Sequence, residues 1–176
     1  MNPLKKDIDT ALLALQNGEI ILYPTDTIWG IGCDATNAYA IKRIFRLKQR
    51  NEAKSMIILL SHIDEISDYV SNPSPKIISY LQQQTTPTTA IFRSAIHLPK
   101  ELINEDGSIA IRIVKDEFCE ALIRRLQKPL VSTSANISGQ PSPQNFSMID
   151  DIIKKGVDYI VQHRQNDSRK FKPSSI

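Results

Sequence analysis

Short apolar runs alternate with amphipathic helical stripes along most of the chain, and this alternation restricts the fold more than any other feature. Ile8, Leu12, Leu13 and Leu15 recur at helical spacing over residues 7–16, and Asn17-Gly18 supplies a C-terminal stop. Residues 19–23 form a brief apolar run halted by Pro24, the pattern of a buried strand that hands the chain to a turn. Residues 38–48 return to a helical period, with Ile41, Ile44, Phe45 and Leu47 on one stripe and Lys42, Arg43 and Arg46 opposite. Residues 56–60 predict a second buried strand, and Ser61 a serine cap for the next helix. Pro73 and Pro75 precede a helix over 76–83, while 88–92, 108–114 and Leu130-Val131 read as strands. Phe118, Leu122, Ile123 and Leu126 mark another helix, Ser147 caps a last one running to Lys155, and 157–161 closes the regular structure. Strands joined by helices tend to run parallel and the hairpin-like middle does not, so the pattern predicts one α/β domain over 1–176 with a mixed sheet.

A chain of 176 residues buries roughly 70% of its unfolded surface, enough for a core without staples. With 41% hydrophobic and 23% charged residues, wholesale disorder is excluded. The net charge of +3 sets up no global basic field, yet residues 42–54 hold six cations (Lys42, Arg43, Arg46, Lys48, Arg50 and Lys54) against the single acid Glu52. Cys33 and Cys119 form no CxxC, and His62, His97 and His163 lack metal-ligand spacing, so no metal site is expected and a reducing cytoplasm fits. The N-terminal residues lack the apolar core of a signal peptide and no stretch is long enough to span a bilayer, so neither export nor a membrane partner is expected.

In α/β folds ligands gather at strand ends, and three polar segments fall there: after Tyr23, before Met56 and after Val131. Lys48 and Arg50 diverge on a helix but share a face if the chain is already extended, where two cations could grip one polyphosphate; a solvated basic face is the alternative. Lys54 stands at the edge of the same place. Ser132-Thr133-Ser134-Ala135-Asn136-Ile137-Ser138-Gly139 offers hydroxyls and an amide that orient phosphate, ribose or an amino-acid head group, or else merely close a turn. Thr25 and Thr27 are candidates to orient a polar group. Asp26 suits a structural role better than a metal-facing one, and Trp29 suits core packing. Arg112, set within the apolar run of 109–113, is at a sheet edge or aimed at a buried anion such as a carboxylate, and the second reading is preferred. No Walker A, GxGxxG or GxSxG motif is present.

The segments YPTDTIWGIGCDA, KQRNEAKSMIIL, GSIAIRI and PLVSTSANISGQPSP, in that order between residues 20 and 143, resemble the YrdC-like family of threonylcarbamoyl-AMP synthases. The resemblance implies a single twisted α/β domain with helices flanking the sheet and a concave basic cavity. It implies a nucleotidyltransferase that joins L-threonine, bicarbonate or CO2, and ATP with Mg2+ into threonylcarbamoyl-adenylate, releasing pyrophosphate. The product would feed the threonylcarbamoyl modification of tRNA through a downstream partner, and some members bind double-stranded RNA. Carried over by motif, Lys48 and Arg50 bind the phosphates and carry catalysis, with Lys54, Ser108, Asn136 and Gln144 also at ATP. Thr27, Arg112, Ser134 and Ser174 surround L-threonine. The chain departs from the family pattern at Thr85-Thr86-Pro87, where relatives have Pro-Gly-Pro, at Leu59, where some have a histidine, and over 165–172, ahead of the remnant Pro173-Ser174-Ser175-Ile176. A non-catalytic RNA-binding paralogue and a related enzyme for another small substrate remain as alternatives.

Overall fold

Pro3 suits the first turn of a helix, where its missing N–H is not needed, and the Asn2 side chain ahead of it accepts the Leu4 amide at 3.0 Å. Helix α1 (Pro3–Gln16) therefore starts four residues before the apolar period begins. The computed structural model describes residues 2–51 and 56–176. Ile8, Ala11 and Leu15 of α1 face the core, whereas Leu13 is 59% exposed, against the expected stripe. Asp7 is buried instead: its carboxylate accepts the Tyr159 hydroxyl and the amides of Gln162 (3.0 Å) and His163 (2.6 Å), and this holds the end of the sheet against the helix.

Strand β1 (Ile21–Tyr23) leads into the loop over 24–29, and the chain returns as β2 (Gly30–Gly32). Gly30 and Gly32, which carry no strand signal of their own, pair in register with Tyr23 and Ile21. At Gly32 a Cβ would lie 2.3 Å from the Val131 carbonyl oxygen and 2.7 Å from the Tyr23 ring, so only glycine lets these backbones approach. Helix α2 (Ala38–Lys48) starts at Asn37, whose side chain accepts the Ala40 amide, and stops at Gln49 in the left-handed conformation (φ 50°). Then come β3 (Ile57–Leu60), α3 (Ile66–Tyr69), α4 (Pro75–Gln83), β4 (Thr89–Phe92), β5 (Ile109–Ile113), α5 (Glu117–Leu126), β6 (Leu130–Ser134), α6 (Asp151–Gly156) and β7 (Tyr159–Ile160). Two expected caps move. His62, not Ser61, accepts the Asp64 amide, and Asp150, not Ser147, caps α6.

Among the described residues the strands form one seven-stranded sheet in the order β4-β5-β3-β6-β2-β1-β7. The pairs β3–β5 and β1–β7 are parallel and the other neighbours antiparallel, so the sheet is mixed, as expected. The order puts β5, β3, β6 and β2 side by side, and the loop after β1, Arg50 and the end of β6 meet at that centre. No helix among the described residues is long and apolar enough to cross a membrane.

Candidate active site

The loop after β1 is shaped by its hydroxyls. Thr25 Oγ1 donates to the Ile28 carbonyl (2.8 Å), accepts the Thr27 amide (3.0 Å) and contacts the Thr27 hydroxyl at 3.0 Å, so the turn closes on its own side chains. This presents Thr27, Trp29 and Gly30 to a cavity of about 220 Å3, whose wall is completed by Arg50, Arg112, Ser134, Ser142, Pro173 and Ser174. Trp29 is both wall and core, with its ring tilted against Phe146 at 4.8 Å.

Arg112 is not at an edge. Strand β5 lies between β3 and β4, and Arg112 pairs in register with Leu59 on one side and Thr89 on the other. The residue is 3% exposed, and the little it shows faces the cavity. Its NH2 lies 3.1 Å from Asp26 Oδ1 and 3.5 Å from Thr25 Oγ1, while Nε is buried without a hydrogen-bond partner. Asp26 is thus neither a helix cap nor a free carboxylate; its Oδ2 also accepts the Lys115 amide at 3.2 Å. Leu59, the expected histidine position, is fully buried in β3.

The cations of the KxR element part company. Because α2 ends only at Gln49, Lys48 is still helical and does not share a face with Arg50. Lys48 is completely buried, and its ammonium donates to the carbonyls of Ser134 and Asn136 (2.7 Å to the latter). Its own carbonyl accepts the Ser138 amide at 2.8 Å. Lys48 therefore fastens the loop that follows β6, and burial, reinforced by the Arg50 charge, lowers its pKa to about 7. Arg50 lines the cavity, and its pKa is lowered by burial.

Strand β6 extends through Ser132, Thr133 and Ser134, which the sequence assigns to a turn; Ser134 closes it opposite Gly30 and faces the cavity. Asn136 sits behind the wall, with Nδ2 donating to the Ile137 (2.9 Å) and Gln140 (2.8 Å) carbonyls and Oδ1 buried without a partner. Ser108 lies elsewhere. Its hydroxyl accepts from Asn104 at 2.9 Å beside a separate hollow formed with Glu105 and Asp106. Gln144 touches the tail, its carbonyl accepting the Phe171 amide at 3.1 Å. The expected Lys54 lies outside the described residues.

The tail completes the wall. Ser174 and Thr89 share a hydroxyl hydrogen bond of 2.8 Å, and the Thr89 amide donates to the Ser175 carbonyl at 2.8 Å, so the last residues lie along β4. The guanidinium groups of Arg164 and Arg169 stand 5.5 and 5.3 Å from the Phe171 ring. Arg164 also donates to Asp116 and to the Thr25 carbonyl, both at 2.6 Å, and so ties the tail to the loop after β1. Sequence reasoning assigns no role to Arg164, Ser142 or Pro173; Arg164 belongs to no local pattern, whereas Ser142 lies within the quoted PSP run and Pro173 in the remnant ahead of Ser174. In all, the structure brings Thr27, Arg50, Arg112, Ser134 and Ser174 to one wall, with Lys48 and Asn136 one layer behind.

Comparison with known proteins gives the family and the fold. The family model for Sua5, YciO and YrdC, described as "Telomere recombination", matches residues 13–176. A threonylcarbamoyl-AMP synthase of Xanthomonas campestris pv. campestris (strain B100) is 30% identical over 162 residues, covering 90% of this chain and 87% of its own. One of Pseudoalteromonas translucida (strain TAC 125) is 35% identical over 136 residues, or 76% and 73% of the two chains. Among solved structures, YciO of E. coli superposes with a TM-score of 0.73 at 27% identity, covering 87% of this chain and 75% of its own. Sua5 of P. abyssi complexed with L-threonine has the same fold (TM-score 0.81, 24% identity, 87% of this chain), and this chain spans 45% of it. The chain belongs to the Sua5/YciO/YrdC family.

Proposed function

We propose that this chain is a threonylcarbamoyl-AMP synthase, which joins L-threonine, bicarbonate or CO2, and ATP with release of pyrophosphate and supplies the threonylcarbamoyl-adenylate to a pathway that modifies tRNA. The observation that carries this reading is a buried arginine, Arg112, in one cavity with the cation Arg50 and the hydroxyls of Thr27, Ser134 and Ser174. Arg112 holds the amino-acid carboxylate, and the three hydroxyls surround the rest of the amino acid. Arg50 meets the phosphates, and Lys48 supports them from beneath the Ser134–Asn136 loop, with Lys54 assisting. The reacting groups are both anions: a carbamate oxygen attacks the α-phosphorus and the bond to pyrophosphate breaks. The site's task is to bring them together and stabilise the departing charge, which needs positioned cations and no protein nucleophile.

The cavity, about 220 Å3, is below the ~300–1,000 Å3 of usual small-molecule pockets, so it fits the amino acid and α-phosphate, with ribose and base along the open rim. Asn136 serves the rim from behind the wall, holding the loop after β6 by donating to the Ile137 and Gln140 carbonyls. Mg2+ arrives with ATP as part of the substrate. Among the described residues no three His, Cys, Asp or Glu side chains converge to cage a metal; Mg2+ would be carried mainly by the phosphates, whose charge it would neutralise. We place the reaction in the cytoplasm, where the unpaired thiols of Cys33 and Cys119 stay reduced. The test is pyrophosphate release from ATP with threonine and bicarbonate omitted in turn. Release that requires both is expected, and release indifferent to threonine overturns the reading.

A further inference from the structure

The ion pair of Arg112 and Asp26 is buried, yet neither partner is satisfied by the other. Asp26 Oδ1 faces the Arg112 NH2 at 3.1 Å without the alignment of a hydrogen bond, and Arg112 Nε has no partner at all. Both side chains are at most 6% exposed, so the deficit lies away from bulk solvent. Two carboxylate oxygens set squarely on one edge of a guanidinium would occupy that pair of donors; this single, skewed contact leaves paired donors open for a second carboxylate. Asp26 is also fixed on its other oxygen by the Lys115 amide, three residues beyond Arg112 and just past the end of β5. It does not line the cavity that Arg112 lines, and instead borders a second hollow with Thr86, Lys170 and Phe171. Among the described residues, the charged wall side chain that Asp26 meets is Arg112.

We propose that Asp26 is the positioning residue of the amino-acid site: it neutralises the buried Arg112, fixes its guanidinium from behind and leaves the free donors facing the incoming carboxylate. This rests on the assignment of Arg112 to that carboxylate. A buried guanidinium without a counter-charge is costly and turns toward whatever acceptor it can find, whereas a fully chelated one has nothing left to offer. The skewed pair avoids both outcomes. The site then selects a ligand whose carboxylate reaches the open fork, and the nucleotide end, held by other residues, does not sense Asp26.

Calorimetric binding of L-threonine and of a non-hydrolysable ATP analogue to wild type, Arg112→Lys, Asp26→Asn and the double variant tests this. Asp26→Asn is expected to weaken threonine at least tenfold while changing the affinity for the ATP analogue less than twofold. The double variant should bind threonine no more weakly than Arg112→Lys alone, because the second change acts through a group already altered. Unchanged threonine affinity in Asp26→Asn, equal losses for both ligands, or multiplicative losses in the double variant each overturn the proposal. If Asp26→Asn does not fold, Asp26→Glu takes its place; it keeps the charge but displaces Arg112, so an at least threefold weaker threonine affinity supports the proposal and wild-type affinity overturns it. Wild type that binds no threonine, or Arg112→Lys that binds it normally, overturns the underlying assignment and the proposal with it. Wild type and Arg112→Lys behaving as expected while Asp26→Asn does not refutes the proposal alone.

Discussion

Burying the Lys48 ammonium completely makes the charged form expensive even though two carbonyls accept its protons, and its pKa falls to about 7 against ~10.4 for a free lysine. The unfolded chain therefore holds a proton at Lys48 that the folded chain releases as pH rises above about 7. On this account stability increases with pH through that window and is flat below it. Cys33 and Cys119 work the other way above ~8.5, since burial raises both thiols and the unfolded chain ionises first. The expected signature is a denaturant midpoint that climbs from pH 6.5 to 8.5 in wild type and climbs less in Lys48→Met; equal slopes in the two proteins refute it. Arg50 has the simpler task of meeting phosphate at the cavity wall. Charge-assisted hydrogen bonds are worth ~1.5–3 kcal/mol, so Arg50→Ala should raise KM for ATP by about tenfold or more and leave the melting temperature nearly unchanged. Steady-state kinetics at saturating threonine measures it.

At the scale of elements, the site depends on how closely β2 crosses β1 and β6. Gly32→Ala would push a methyl into the Val131 carbonyl and the Tyr23 ring, and should destabilise the chain by about 1–3 kcal/mol or more, visible as a lower urea midpoint with an unchanged m-value. Gly107→Ala, where a Cβ meets nothing within 4 Å but φ is +78°, should cost only the backbone strain and so less. Strand β2 is also the element least legible in the sequence: it has three residues, two of them glycines, and no alternating pattern to declare it. Strand β6 hides for a related reason, since Ser132, Thr133 and Ser134 carry the residue types of a turn while tertiary pairing with Gly30, Ile31 and Ile57 makes them strand. Helices α2 and α5, with several apolar residues on one face, are legible almost to their ends. Within the site, Arg112 is legible because a cation inside an apolar strand needs a reason. The burial of Lys48 is not, because a cation run most often marks a solvated face, and Arg164 is not, because its partners Thr25 and Asp116 are remote in sequence.

Across the whole molecule, the cavity is a product of distant contacts. Lys48 meets a loop 86 residues later, Arg112 meets a loop 87 residues earlier, and the last residues cross back to β4. The tail contributes little core: Phe171 is half-buried, gripped by two guanidinium groups and one backbone hydrogen bond to Gln144. It nevertheless sets Pro173 and Ser174 in the cavity wall, so local order there has a functional consequence out of proportion to its stability. Two cation–π contacts at partly exposed positions are worth ~0.5–1 kcal/mol each, comparable to what holds a terminal segment down but small beside the global stability. Phe171→Ala should therefore leave thermal unfolding within about 2 °C of wild type while trypsin cuts faster after Arg169 and Lys170. The KM for threonine should rise several-fold, because Ser174 leaves the wall, and the KM for ATP should change less, because Arg50 and Lys48 are anchored by α2. Proteolysis unchanged from wild type would mean that the Thr89 hydrogen bonds alone seat the tail, and Thr89→Val would then give the threonine defect instead.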